Sequence, residues 1–188
     1  MLQAFCSAFL PYKLYAMRKN VLVFGLISGL IITGMMLYSA AKIYNSKEFQ
    51  GNDVIGYAAM IAAFSFIFVG IKNFRDRYNN GIISFGKAFK IGLFITLVAS
   101  TIYVVVWLID YYLFVPDFID KYATCVINEA KSDGATQVEL NNKATEMAKF
   151  KELYKNPLFV ILITYSEVFP VGLVVSVISA LILKRKAK

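Results

Sequence analysis

Ile71-Lys-Asn-Phe-Arg-Asp-Arg-Tyr-Asn-Asn-Gly-Ile-Ile-Ser-Phe-Gly-Lys-Ala-Phe-Lys-Ile-Gly92 separates two long apolar runs. Within it Lys72, Arg75, Arg77, Lys87 and Lys90 stand against one acid, Asp76. The stretch reads as the tight basic loop of a membrane hairpin. Asn79-Asn80-Gly81 is its turn, because Asn and Gly tolerate positive φ. Ser84 is placed to cap the helix that follows. Lys87 and Lys90 can reach lipid headgroups along their apolar stems.

Outward from that loop the pattern repeats. Uncharged or nearly uncharged runs fall at 21–41, 54–71, 88–114 and 157–183. About 20 apolar residues suffice to cross a bilayer as a helix. The chain is 59% hydrophobic and only 17% charged, whereas soluble domains carry about a quarter charged residues. The expected fold is therefore an all-α integral membrane four-helix bundle, a single domain over 17–188. Residues 117–155 interrupt it with two amphipathic stretches, one marked by Phe118, Tyr122, Val126 and Ala130, the other by Val138, Leu140, Ala144, Met147, Phe150 and Tyr154. These read as two helices outside the membrane. Asp53 and Asn156-Pro157 suit the starts of the second and fourth spans.

Residues 1–16 are apolar but too short to span. They read as an N-terminal extension outside the natural protein, with Met17 as the start. The competing reading is an interfacial helix anchored by Phe5, Phe9, Tyr12 and Tyr15.

The formal net charge is +8, but its placement argues for topology rather than nucleic acid. The N-terminal segment, the 72–90 loop and the C-terminal tail together hold twelve cations and the single acid Asp76. The 42–53 and 110–156 segments hold eight cations and ten acids. Cations flanking spans face the cytoplasm. Both termini are thus expected in the cytoplasm, with the 117–155 helices on the other side of the membrane. The basic loop also suits anionic headgroups. The expected partners are the lipid bilayer and either a second copy or another membrane protein.

Chemistry is sparse. The chain has no His, which removes His-based catalysis and His metal sites. Cys6 and Cys125 fall on opposite sides of the membrane in this topology and should not pair. No catalytic residue, metal ligand or cofactor is expected. One residue stands out: Glu167, about 15 Å into the fourth span at 1.5 Å per residue. A carboxylate at that depth costs at least ~2.5 kcal/mol and marks a functional site by default. Thr33, Ser65 and Thr96 are the hydroxyls that could serve it. Pro170 leaves the carbonyl of Ser166 without its helix donor, so Glu167, Ser166 and Pro170 form a candidate polar site. Gly25 and Gly29, Gly92, and Gly172 with Ser176 lie on small-residue stripes that let helices approach closely, within the chain in the simplest reading. Tyr103, Trp107, Tyr111 and Tyr112 read as an interfacial belt at the end of the third span.

Asn80-Gly-Ile-Ile-Ser-Phe-Gly-Lys-Ala-Phe-Lys-Ile-Gly92, Pro116-Asp-Phe118, Asn156-Pro-Leu158, Glu167-Val-Phe-Pro-Val-Gly-Leu173 and Ile178-Ser-Ala-Leu-Ile-Leu-Lys184 resemble, in that order, the DUF4199 family. The resemblance covers about residues 17–186 and implies a small four-span protein of a bacterial inner membrane, mostly of Bacteroidetes, with no assigned reaction. The expected role is a non-enzymatic interaction or accessory subunit. The alternative is a small oligomeric transporter or channel subunit built on Glu167. A wet cavity reaching Glu167 would favour the alternative, and a dry packed Glu167 the accessory role.

Overall fold

Polar residues decide where each apolar run leaves the membrane, but they do not stop its helix. The computed structural model describes residues 2–45 and 53–186, with side chains for 12–41 and 56–186. Its helices are α1 (Leu2–Asn45), α2 (Asp53–Tyr78), α3 (Phe85–Leu113), α4 (Phe118–Ser132), α5 (Gln137–Tyr154) and α6 (Pro157–Leu183). Four are long and apolar enough to cross a membrane, over Tyr12–Ala41, Gly56–Tyr78, Phe85–Leu113 and Pro157–Leu183. Among the described residues there is no strand, only an isolated antiparallel bridge between Ile83 and Arg185.

Two expectations on boundaries are corrected. The first helix does not begin at residue 21; α1 is helical from Leu2, and no break falls at 16–17. Lys13, Arg18 and Lys19 are good helix formers, so the helix continues past the apolar run, and Ala16 and Asn20 are buried in the bundle. The basic segment is likewise mostly helix. Lys72, Arg75 and Arg77 ride the last turns of α2, and Lys87 and Lys90 the first turns of α3. Only 79–84 connects them. There Asn80 and Gly81 take positive φ, 55° and 74°, and Ser84 Oγ accepts from the Lys87 amide. The 46–52 connection, the side chain of Asp53 and the side chains of Phe5, Cys6 and Phe9 lie outside the described residues.

Around the bundle the order is α1, α3, α6, α2, each packed on the next. The core is filled most completely toward the basic end, where Phe64, Ile67, Ile71, Phe74, Ile91 and Ile95 are fully buried. In lipid, burial of apolar surface between helices gains little, so close packing and interhelical hydrogen bonds hold such a core. Asn20 supplies two of those bonds: its Nδ2 donates to Gly70 O at 2.9 Å, and its Oδ1 accepts from Asn73 Nδ2 at 2.7 Å.

The three basic segments gather at this end. Ile83 and Arg185 exchange backbone hydrogen bonds at 3.0 and 2.8 Å, and Arg75 Nη1 donates to Leu183 O at 3.3 Å. Lys13 on α1 lies within electrostatic range of Lys87. At the opposite end α4 and α5 form a helical hairpin over the bundle, tied by an ion pair between Asp120 and Lys151. The α4–α5 turn closes with Gly134 at φ 81°. Thr136 and Glu139 then make a reciprocal capping box at the start of α5. Asn156 Oδ1 caps α6 by accepting from Leu158 N at 2.9 Å, with Pro157 at the first helical position.

Candidate ligand cavity

The small-residue stripes are spent inside the chain. A Cβ on Gly25 would sit 2.7 Å from Val98 of α3, and one on Gly29 3.2 Å from the Ala99 backbone. At the α3–α6 crossing, a Cβ on Gly92 would meet Ser176 at 2.9 Å, and one on Gly172 would meet Phe64 at 3.0 Å. The same crossing holds a buried hydroxyl pair, Thr96 Oγ1 and Ser176 Oγ, 3.1 Å apart. Each also bonds a carbonyl one turn back on its own helix, Gly92 O and Gly172 O. Thr96 is therefore committed to α6's packing face. Ser65 Oγ donates to Ala62 O, and Thr33 Oγ1 is buried without a hydrogen-bond partner. None of the three hydroxyls expected to serve Glu167 does so. The reason is azimuth: on α6, Gly172 and Ser176 face α3, and Glu167 lies on a different side of the helix.

Glu167 opens instead onto a cavity of about 470 Å³ between the bundle and the α4–α5 hairpin. Ile32, Met35, Met36 and Ser39 of α1 form one wall, with Ala59 and Met60 of α2 beside them. Opposite stand Tyr103 and Trp107 of α3 and Ile163, Thr164 and Glu167 of α6. Phe118, Ile119 and Tyr122 of α4, with Phe150 and Tyr154 of α5, form the roof. Toward the basic end the cavity stops at the filled layer of Ala63, Phe64, Val168 and the Thr96–Ser176 pair, all fully buried.

The roof is held by aromatic contacts. Trp107 Nε1 donates to Tyr154 Oη at 3.3 Å. The Trp107 ring stands edge-on to Phe118, 5.0 Å between centroids and 82° between planes. Tyr154 packs edge-on against Tyr111 at 5.1 Å. Burial pushes the Tyr154 phenol above its usual pKa; the Trp107 hydrogen bond acts in the other direction. Tyr103 and Tyr154 both lie within electrostatic range of Glu167.

The expected interfacial belt is thus corrected for its inner members. Tyr103, Trp107 and Tyr111 are buried and face the bundle axis, while Tyr112 is exposed. Their spacing of four places all three on one helix face, and that was the available signal. α5 departs from expectation too. Val138 at its far end is 69% exposed while Leu140 and Met147 are half-buried, and Phe150 and Tyr154 join the buried cluster at the bundle. On α4 the buried residues are Ile119 and Ala130; the spacing singled out Ala130, with Phe118, Tyr122 and Val126, but not Ile119.

Pro170 sits within α6 one turn beyond Glu167, so the carbonyl of Ser166 lacks its usual donor. Ser166 Oγ donates to Ile163 O and is exposed, so the Ser166 side chain is not part of the cavity wall. Among the described residues no three His, Cys, Asp or Glu side chains gather as a metal site would require.

Four helices long and apolar enough to cross a membrane, a two-helix cap and an aromatic cavity between them define a capped four-helix bundle of membrane-protein type. Residues 22–185 match the family model described as DUF4199, a protein of unknown function, and the chain belongs to that family. No curated protein and no solved structure matches it.

Proposed function

We propose that this is a non-enzymatic, multi-pass protein of a bacterial cytoplasmic membrane, with both termini cytoplasmic. In this reading it is an accessory subunit that binds a small molecule in the cavity beneath α4 and α5. A cavity that reaches Glu167 is the feature that favours a transporter; the observation that carries the accessory reading is the fully buried layer of Ala63, Phe64, Val168 and the Thr96–Ser176 pair beyond it. The cavity's volume falls within the range of about 300–1,000 Å³ usual for small-molecule sites. A layer of fully buried residues lies between it and the basic end, which supports a site that holds a solute over one that passes it across. The charge asymmetry supports the orientation. It puts the α4–α5 cap, and with it the cavity mouth, on the extracytoplasmic side. Binding would draw Trp107, Phe118 and Tyr154 around the solute, and the cap would report occupancy to whatever protein reads it.

A second observation joins the cavity at Glu167 in favouring the other reading, an alternating-access carrier. Pro170 lies on the boundary between the cavity and the filled layer, one turn from Glu167, and a proline there is a natural hinge. Proton or cation flux in proteoliposomes separates the two. A holding site gives no flux in the wild type under a driving gradient. Wild-type flux that vanishes in Glu167→Gln, with folding intact, would replace the accessory reading with the carrier.

A further inference from the structure

The end of the bundle remote from the cavity carries a charge imbalance that the fold gathers rather than spreads. Its single acid, Asp76, is engaged by Arg75, whose Nε donates to Asp76 Oδ1 at 2.6 Å and whose Nη2 donates to Oδ2 at 3.2 Å. Lys72 and Arg185 also lie within electrostatic range of that carboxylate. The basic tail is pinned beside them, Arg185 through its backbone to Ile83, and Leu183 O by Arg75 Nη1. Glu48 and Asp53, whose side chains lie outside the described residues, fall in sequence between the far ends of α1 and α2. The 26 residues of α2 put about 39 Å between Asp53 and the basic turn at 1.5 Å per residue.

Charge alone suits the whole loop to headgroups; the fold singles out one position. Lys87 is half-buried in the first turn of α3. Its Nζ lies 5.1 Å from the centroid of the Phe74 ring, which is fully buried, and donates to Asn79 Oδ1 at 3.2 Å. Asn79 is itself fixed, its Nδ2 donating to Ile82 O. Both of these partners are neutral, and the charged group within range of Lys87 is another cation, Lys13 of α1. An ammonium has three N–H donors, and Asn79 takes one. A half-buried charge that faces a like charge, with no carboxylate among its partners, is completed by an anion. Cations that only set topology need the right side of the membrane and no fixed neighbour. Lys90 is of that kind, exposed three residues further on, with its Nζ 6.0 Å from the ring of half-exposed Phe94.

Depth selects the anion. Lys87 lies next to the start of Phe85–Leu113, a segment long and apolar enough to cross a membrane, and Arg75 lies near the end of another, Gly56–Tyr78. Tyr12 and Tyr15, on either side of Lys13 on α1, and Phe85 on α3 are exposed, and exposed aromatics at helix ends mark the headgroup level. Basic pockets between helices at that level hold lipid phosphates. We infer that the basic end of the bundle holds the phosphate of an anionic phospholipid, with Lys87 donating to it and Lys13 and Arg185 supplying the surrounding field. In the orientation proposed above, that lipid belongs to the cytoplasmic leaflet. It ties the N-terminal part of α1 to the α2–α3 turn, and it is independent of Glu167 and the cavity.

The purified full chain in a non-ionic detergent is mixed with phosphatidylglycerol, or with phosphatidylcholine of the same acyl chains, and bound lipid is counted by native mass spectrometry. The expected result is a saturable phosphatidylglycerol adduct, with phosphatidylcholine held at least about fivefold more weakly, the factor that one Lys beside an anionic lipid contributes. Lys87→Gln should lower phosphatidylglycerol retention by about that factor. Lys90→Gln, the same loss of charge one turn along α3, should leave it unchanged. Equal loss in the two variants would show a diffuse field rather than a site and overturn the inference. Equal retention of the two lipids by the wild type would do the same. Displacement of bound phosphatidylglycerol by inorganic phosphate at matching concentration would assign the site to a soluble anion and overturn the lipid assignment. The wild-type comparison of the two lipids decides the matter even where Lys87→Gln fails to insert, and none of these outcomes bears on the small-molecule reading of the cavity.

Discussion

Trp107 on α3 donates its indole N–H to the hydroxyl of Tyr154 on α5 across 3.3 Å. That bond joins one of the four long apolar helices to the cap above it, and both residues are nine-tenths or more buried. Tyr154→Phe keeps the ring and removes the acceptor. A buried donor left unmatched costs about 1–3 kcal/mol. The expected outcome is a lower unfolding midpoint in detergent by that amount, together with a red shift in Trp107 emission as water replaces the phenol. An unchanged spectrum would show that the cap does not depend on this bond.

Gly172 tests the α3–α6 crossing. Its added Cβ would press on Phe64 and Thr96, whereas a Cβ on Gly34 meets nothing within 4 Å. Overpacking a filled core costs about 1–3 kcal/mol, more than the roughly 1 kcal/mol that Ala gains over Gly in a helix. Gly172→Ala should therefore destabilise the bundle and Gly34→Ala should not. Thermal unfolding of the two variants side by side checks the contrast.

The capping box of α5 gives a pH dependence. The Thr136 backbone N–H, followed by its hydroxyl, donates to the Glu139 carboxylate and holds its pKa below the usual value. A carboxylate whose folded pKa is depressed stabilises the fold above its unfolded pKa, and that contribution is lost as pH falls through the folded value. Protection of the amides in the first turns of α5, taken relative to their intrinsic exchange rate at each pH, should fall as the solution is acidified through and below the ordinary carboxylate range. Glu139→Gln should flatten that dependence. A wild-type profile already flat over the same interval would contradict the box.

Topology has its own test. A cysteine at Asn141, on the exposed face of α5, should react with an impermeant thiol reagent in intact spheroplasts, and one at Asn80, in the basic turn, should not. The reverse pattern would invert the orientation and place the cavity mouth in the cytoplasm.

How far the sequence could be read depended on which physical signal each feature left. Spans were legible because lipid demands long apolar runs, and the turn at Asn80-Gly81 because positive φ restricts residue choice. Helix ends were not, since Lys13, Arg18, Lys72 and Arg75 favour helix as readily as the apolar residues beside them. Glu167 was conspicuous by its cost in lipid, but its neighbours were not. The walls and roof around it come from all six helices, and Trp107 and Tyr103 look the same in a sequence whether they anchor at the interface or turn inward. Only packing distinguishes these cases. The roof residues Phe118 and Tyr154 were recognisable as an apolar stripe, yet nothing local shows that the stripe covers a hollow.

The most direct measurement asks whether the cavity beneath the cap is open to a solute from the α4–α5 side. Ser39 lines it and is replaced by Cys in a background where Cys6 and Cys125 are Ser. A small impermeant thiol reagent is added to intact spheroplasts, and the same reaction is followed in nanodiscs by Trp107 emission. The expected result is modification from outside and a concurrent change in Trp107 emission. A Cys at position 39 that stays unmodified while one at Asn141 reacts would contradict an open cavity, and with it the proposed binding role.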